Sequence, residues 1–259
     1  MTGWIEPDWP APTTVRAVFT TRQGGVSKGP YASMNLGDHV GDDPGAVARN
    51  RYRLGESLGL PTRPVWLSQV HGTHVIDADA VSGKPGEGDA ALAGASDTVC
   101  AVMSADCLPV LFCDRGGKRV AAAHAGWRGL SAGVLETTVA AMSVSPDDVL
   151  AWMGPAIGPD AFEVGEDVVR AFVEDDAGCE TAFTRQGSRW MADIYALARR
   201  RLRRLGVRAV HGGGWCTFSE PERFFSYRRD GITGRMAALI WLRAAPGQGA
   251  IGVAPLPDA

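Results

Sequence analysis

The feature that most constrains what this chain can fold into is its alternation. Strand-like and helix-like runs follow one another from end to end, with neither an internal repeat nor a low-complexity linker between them. A chain patterned this way buries a mixed α/β core, and one domain over residues 1–259 is the expectation. Residues 15–22 (VRAVFTTR) mix β-branched and aromatic side chains before a Gly-Gly turn, so a strand delivers Arg22 to a long glycine-rich loop. Asp43-Pro44 then supplies an N-cap and a proline at the first helical position, which predicts a helix to about Leu58 with Val47, Tyr52 and Leu54 toward the core. Residues 65–119 are mostly strand-like, and the run 118–125 (KRVAAAHA) ends in the turn GWRG, which puts His124 where a strand stops. A helical pattern over 130–142, a strand over 149–153, helices near 168–173 and 197–205, and strands over 209–215 and 235–242 complete the expected order.

Charge enters the argument as an exclusion. With a formal net charge of -3 and 21% charged residues, no global field points to nucleic acid or to an anionic membrane surface, and a small-molecule substrate is the default. The one basic stretch, Arg199-Arg200-Arg201-Leu202-Arg203-Arg204, reads as a solvated helix face. No run of about 18 apolar residues suggests a spanning helix, and the start MTGWIEPDWPAP lacks the basic-then-apolar order of a secretory signal. Five cysteines, an odd number, argue against a disulfide framework, so reduced thiols and a cytoplasmic location are expected.

Four of the five histidines lie beside glycine or at the end of an apolar run, where strands hand over to loops and binding groups collect. Cys107 sits between Ala105-Asp106 and Leu108-Pro109, so a proline punctuates the strand where the thiol emerges. Two imidazoles and a thiolate suit zinc and leave a fourth position open, which is the arrangement of a catalytic site. The spacing is 36 residues from His71 to Cys107 and 17 from there to His124, unlike compact finger motifs, and by itself does not select a metal over satisfied buried side chains. His74, three residues after His71, falls on the opposite face of an extended chain and is not expected as a fourth ligand. Asp106 reads as a structural acceptor holding a turn rather than as a proton carrier.

Six segments in order, TTRQGGVSKGPYASMNLGDHVGDDP, SQVHGTHV, ADCLPVLF, AAHAGWRG, GPAIGPDAFEVGED and CTFSEPERFFSYRRDGITGRMAALIWL, resemble the family variously called multicopper polyphenol oxidase (laccase) or YfiH-like proteins. The resemblance implies an α+β single domain, a four-layer αββα arrangement with mixed sheets. It also implies purine nucleoside phosphorylase activity on adenosine, inosine and S-methyl-5'-thioadenosine, with adenosine deaminase activity beside it, and zinc held by His71, Cys107 and His124. Five histidines cannot furnish both a blue-copper site and a three-copper cluster, so the laccase name reads as historical and any copper as a substituted metal.

Nucleoside cleavage by phosphate needs an anion site and a pocket for ribose and base. Arg22 and Arg51 are the candidates for the anion, with Arg228 and Arg229 as outsiders, and Ser33, Asn35 and Gln69 are candidates for bonds to ribose or base. Deamination fits the same metal, since zinc is the usual activator of the water that attacks C6 of adenine. The partners expected are purine nucleosides and phosphate, with no nucleic acid and no membrane, for a monomer or weak homo-oligomer. Competing readings are a cysteine hydrolase with Cys107 as nucleophile and His124 or His71 as base, an editing enzyme for peptidoglycan precursors, a copper-binding polyphenol oxidase, and a metal-binding module without turnover.

Overall fold

The structure, a computed structural model, describes residues 3–83 and 85–243. The first half of the chain forms β1 (Trp4–Ile5), β2 (Val15–Thr20), α1 (Pro44–Leu58), β3 (Val65–Trp66), β4 (Val75–Asp77), β5 (Ala90–Ala93), β6 (Val99–Ser104), β7 (Leu108–Asp114) and β8 (Val120–Ala125). There follow α2 (Trp127–Ala132), α3 (Val134–Ala141), β9 (Val149–Met153), β10 (Glu163–Val164), α4 (Glu166–Val173), β11 (Phe183–Gln186) and β12 (Arg189–Ala192). Then come α5 (Ile194–Arg204), β13 (Ala209–Gly212), α6 (Tyr227–Asp230) and β14 (Met236–Leu242).

Two sheets hold the core. One has the order β1-β2-β14-β6-β3 and the other β13-β9-β7-β8-β5-β4, with a small sheet β10-β12-β11 alongside. Both large sheets are mixed: β3 pairs β6, β4 pairs β5 and β13 pairs β9 in parallel, while the other neighbours run antiparallel. The period of two assigns the layers. Cys100 and Val102 of β6 share one apolar cluster with Leu111 and Cys113 of β7, between the sheets. Val99, Ala101 and Met103 face the other way, toward Leu54 of α1. Val110 and Phe112 likewise turn outward, toward Leu135 of α3, Phe172 of α4 and Leu202 of α5. The result is helix, sheet, sheet, helix, the four-layer α+β order expected from the resemblance. Strands buried on both faces explain why β6 and β7 read as unbroken apolar runs.

Several expectations are corrected by packing. On α1, Val47, Asn50 and Leu54 form the buried stripe and Tyr52 is exposed, so the core position goes to an asparagine. Asn50 has a reason to be there: its Nδ2 donates to Ser27 Oγ and to the carbonyls of Ser33 and Asn35, and its Oδ1 accepts from Val26 N, which fastens the glycine-rich loop to the helix. The helix expected over 130–142 is two helices, because Gly133 takes a left-handed φ of 99° between them. The strand expected over 209–215 stops at Gly212. Pro109 does not interrupt β7 but lies within it, opposite His124.

The basic stretch is not a uniformly solvated face. Arg200 bonds Asp176 through two nitrogens, and Arg201, 6% exposed, pairs with Glu136 at 2.7 Å and Asp175 at 3.2 Å. Arg201 is buried while Glu136 and Asp175 are partly exposed, so Arg201→Ala is expected to cost about 2 kcal/mol of stability, the loss of its charge-assisted bonds. Urea unfolding measures this; a loss below about 1 kcal/mol would mean that Glu136 and Asp175 find water instead.

Candidate metal centre

Where the chain crosses from the first sheet to the second, it places two of the expected ligands. The β3–β4 crossing carries His71 and the β6–β7 crossing carries Cys107, while His124 stands near the end of β8. Their donor atoms all lie within 4.8 Å of one another. Cys107 Sγ is 3.8 Å from His71 Nε2, and the two imidazoles meet edge to face with centroids 4.8 Å apart. Tetrahedral zinc holds its sulfur and nitrogen donors about 3.6 Å apart, so the thiol and the first imidazole stand close to ligand spacing. The set is borderline-soft and comes from both an exposed residue, His71, and a buried one, His124. A metal fits here, with open space on the His71 side.

One residue absent from the expectations organises the centre. Asp89, fully buried just before β5, accepts from His124 Nδ1 at 2.8 Å and from the backbone N–H groups of Val70, His71 and Gly72. The bond to Nδ1 fixes the His124 ring and leaves Nε2 as its free donor atom. The three backbone bonds hold His71 at a φ of 61°, a left-handed conformation unusual for a side chain of this size. Burial works against the Asp89 charge, but these bonds outweigh it and keep the carboxyl below its usual range. The only sequence sign of this role is an acid set directly before the apolar strand AALA.

Burial also opposes ionisation of Cys107, yet the adjacent His124 and His71 outweigh it and lower the thiol to about 6. The same pairing works in reverse on His124: burial opposes the proton, and Cys107 and Asp89 raise the group to about 9. The thiolate that a metal requires is therefore favoured. Gly126, after β8, leaves room for the donors, since a Cβ there would lie 2.8 Å from His71 Cδ2 and 3.0 Å from Cys107 Sγ.

Asp106, at a φ of 101°, accepts from Thr217 Oγ1 at 2.6 Å and from Arg228 N at 2.7 Å, so it ties the Cys107 turn to the segment before β14. His74 is exposed and lies outside the donor cluster. The expected substrate contacts divide. Ser33 Oγ accepts from Gly25 N and donates to the Arg22 carbonyl, and Asn35 is fully buried with bonds to Gly37, Asp42 and Arg235 N. Gln69 clamps both backbone groups of Met103. Arg22 bonds the carbonyls of Ala32 and Pro221 and lies over Phe225. Arg51 alone of the five lines a groove, of about 780 Å³, with its guanidinium over Trp66 and 3.4 Å from Asp38. Arg229 is taken up by the carbonyls of Thr217, Phe218 and Phe224 and by Asp230.

Residues 16–243 match a family model described as multi-copper polyphenol oxidoreductase laccase. A Pseudomonas aeruginosa protein named purine nucleoside phosphorylase is 57% identical over 94% of this chain and 100% of its own length. The Escherichia coli protein named purine nucleoside phosphorylase YfiH is 54% identical over 93% and 100%. Among solved structures, a Neisseria meningitidis protein superposes with a TM-score of 0.90 at 53% identity, covering 94% of this chain and 100% of that one. YlmD from Geobacillus stearothermophilus gives 0.86 at 32% identity, covering 93% and 97%.

Proposed function

We propose that this chain, which belongs to the multi-copper polyphenol oxidoreductase laccase family, is a purine nucleoside phosphorylase with one metal ion held by His71, Cys107 and His124. The observation that carries the reading is the three-donor cluster, oriented by Asp89 and with His71 exposed. The name these relatives carry, at more than half identity over their whole length, supplies the reaction. In it, a phosphate oxygen forms a bond to ribose C1' while the C1'–N9 bond breaks; its electron pair leaves on the purine, which takes a proton from solvent. The metal, zinc by the softness of its donors, supplies Lewis acidity when bound. The protein's part is to fix two imidazoles and a thiolate and to keep Cys107 ionised. Ser33, Asn35 and Arg22 act by holding the glycine-rich loop, and Gln69 by holding the end of β6.

The substrates proposed are adenosine, inosine and S-methyl-5'-thioadenosine, with deamination of adenosine as a second activity at the same centre. Oxidation by a multicopper site is disfavoured on geometry as well as on count. Among the described residues His71 and His124 are the only histidines in a donor cluster, whereas a multicopper oxidase needs a second, histidine-rich group. A thiol hydrolase is the second reading, because Cys107, His124 and Asp89 also stand in the order nucleophile, base, orienter.

The test is product analysis with inosine. Ribose 1-phosphate is expected with phosphate present, and no more than a trace of free ribose without it. Equal ribose release in phosphate-free buffer would replace phosphorolysis with hydrolysis. Chelation separates the metal enzyme from the thiol enzyme, since only the former loses its activity.

A further inference from the structure

We propose that Arg235 is the centre of the phosphate subsite, its guanidinium binding the anion between the glycine-rich loop and the Cys107 turn. The choice of phosphate rests on the phosphorylase reading; the choice of residue rests on placement and charge.

Placement comes from the backbone. Arg235 immediately precedes β14, whose Met236 pairs with Ser104, the last residue of β6 before the Cys107 turn. Its N–H donates to Asn35 Oδ1 and its carbonyl accepts from Leu36 N, so the same residue is fastened to the glycine-rich loop. Its stem packs over Gly37, where a Cβ would come within 2.8 Å of Arg235 Cγ. The side chain is thereby held between the two segments rather than waving in solvent, and it is half-buried with Tyr227 5.9 Å from its Cζ.

Charge and hydrogen bonding separate Arg235 from Arg22, Arg51 and Arg229, while Arg228, likewise without a carboxylate partner, gives its Nη1 to the Glu163 carbonyl. Arg51 has Asp38 at 3.4 Å, and Arg229 has Asp230 at 2.8 Å. Arg22 spends Nε and Nη1 on carbonyls of Ala32 and Pro221. Arg235 has no carboxylate within ion-pair distance among the described residues, and only its Nη1 is engaged, by the carbonyls of Thr233 and Gly234. Two further nitrogens remain for an anion, enough for a bidentate contact. Thr233, two residues away, adds a fully buried hydroxyl without a protein partner. Burial is the main influence lowering the Arg235 pKa, and Cys107 and Asp106 head the groups opposing it, which agrees with a cation set beside the metal turn. The inference explains why a guanidinium is kept partly desolvated without a counter-charge: the counter-charge is the substrate.

Zinc-loaded protein titrated with inorganic phosphate, followed by calorimetry, reads the site without turnover. Arg235→Ala is expected to weaken phosphate binding by about ten- to a hundredfold, the loss of a charge-assisted contact, and Arg235→Lys by less. Arg51→Ala should stay within about threefold of the parent. Zinc content and circular dichroism should be unchanged in each, and Arg235→Gln takes the place of the alanine variant if that one does not fold. Parent-like phosphate binding in Arg235→Ala or Arg235→Gln, loss of binding in Arg51→Ala instead, or no phosphate binding by the parent protein would each overturn the assignment. If phosphate binding follows Arg235 while the parent protein forms no ribose 1-phosphate from inosine, the anion site stands and the phosphorylase reading falls.

Discussion

Asp89→Ala is expected to weaken metal binding by about ten- to a hundredfold and to cost about 3 to 5 kcal/mol of folding stability. The two effects have one origin. Asp89 accepts four hydrogen bonds in full burial, one from the ring of a ligand and three from the backbone that turns at His71. Without the carboxylate, His124 loses the bond that orients its ring, and three partly buried N–H groups lose their acceptor at about 1 kcal/mol each before relaxation. His71 has in addition no reason to hold a left-handed φ, so it relaxes away from the cluster. Asp89→Asn keeps the volume but turns one amide nitrogen toward donors, and it should fall between the parent and the alanine variant. Competition with a chromophoric chelator measures the first effect and urea unfolding the second. A variant that is destabilised yet binds metal with parental affinity would show that Asp89 only holds the turn.

Cys107→Ala should do the converse, emptying the metal site while sparing the fold. Cys107 is only half-buried and sits on a turn held by Asp106 and by the Ser104 hydroxyl, neither of which depends on the thiol. Zinc content is expected to fall from about one per chain to near zero, and phosphorolysis by on the order of 10³-fold, the value of several kcal/mol of lost Lewis-acid stabilisation. Stability measured in chelator should change by no more than about 1 kcal/mol. Elemental analysis of the purified variant is the decisive measurement: a full zinc complement would sink the ligand assignment, and copper in the parent protein would change the metal but not the ligands.

What could be read before any coordinates follows from local chemistry. The helix Pro44–Leu58 is announced by its own ends, with Asp43 accepting from Gly45 N and Gly59 closing in a left-handed conformation. The strand Val149–Met153 is an uninterrupted apolar run. His71 stands out because it lies beside a glycine, His124 because it ends an apolar run, and Cys107 because it sits between Ala105-Asp106 and Leu108-Pro109. The failures are of another kind. Tyr52 and Asn50 exchange places because an asparagine whose amide meets four loop partners is cheaper to bury than a tyrosine with none. Ser33 and Asn35 have the residue types of ligand contacts, but their bonds close on the loop itself, and a sequence does not say which way a polar group turns. Asp89 and Arg235 were invisible because each owes its role to segments far along the chain, the one to residues 70–72 and 124, the other to Asn35 and Ser104.

The crossings that carry His71 and Cys107 also set an order of assembly. Each leaves one sheet and enters the other, so their donors converge only when the two layers have docked. No short stretch of the nascent chain offers a provisional cage of the kind that lets metal guide the folding of a zinc finger. Long loops must close first, against their entropy, and the apolar cluster between the sheets drives that closure. A metal bound at this centre would therefore be acquired by an already folded protein, and which ion it is would be decided by supply and by the rigidity of a finished cavity.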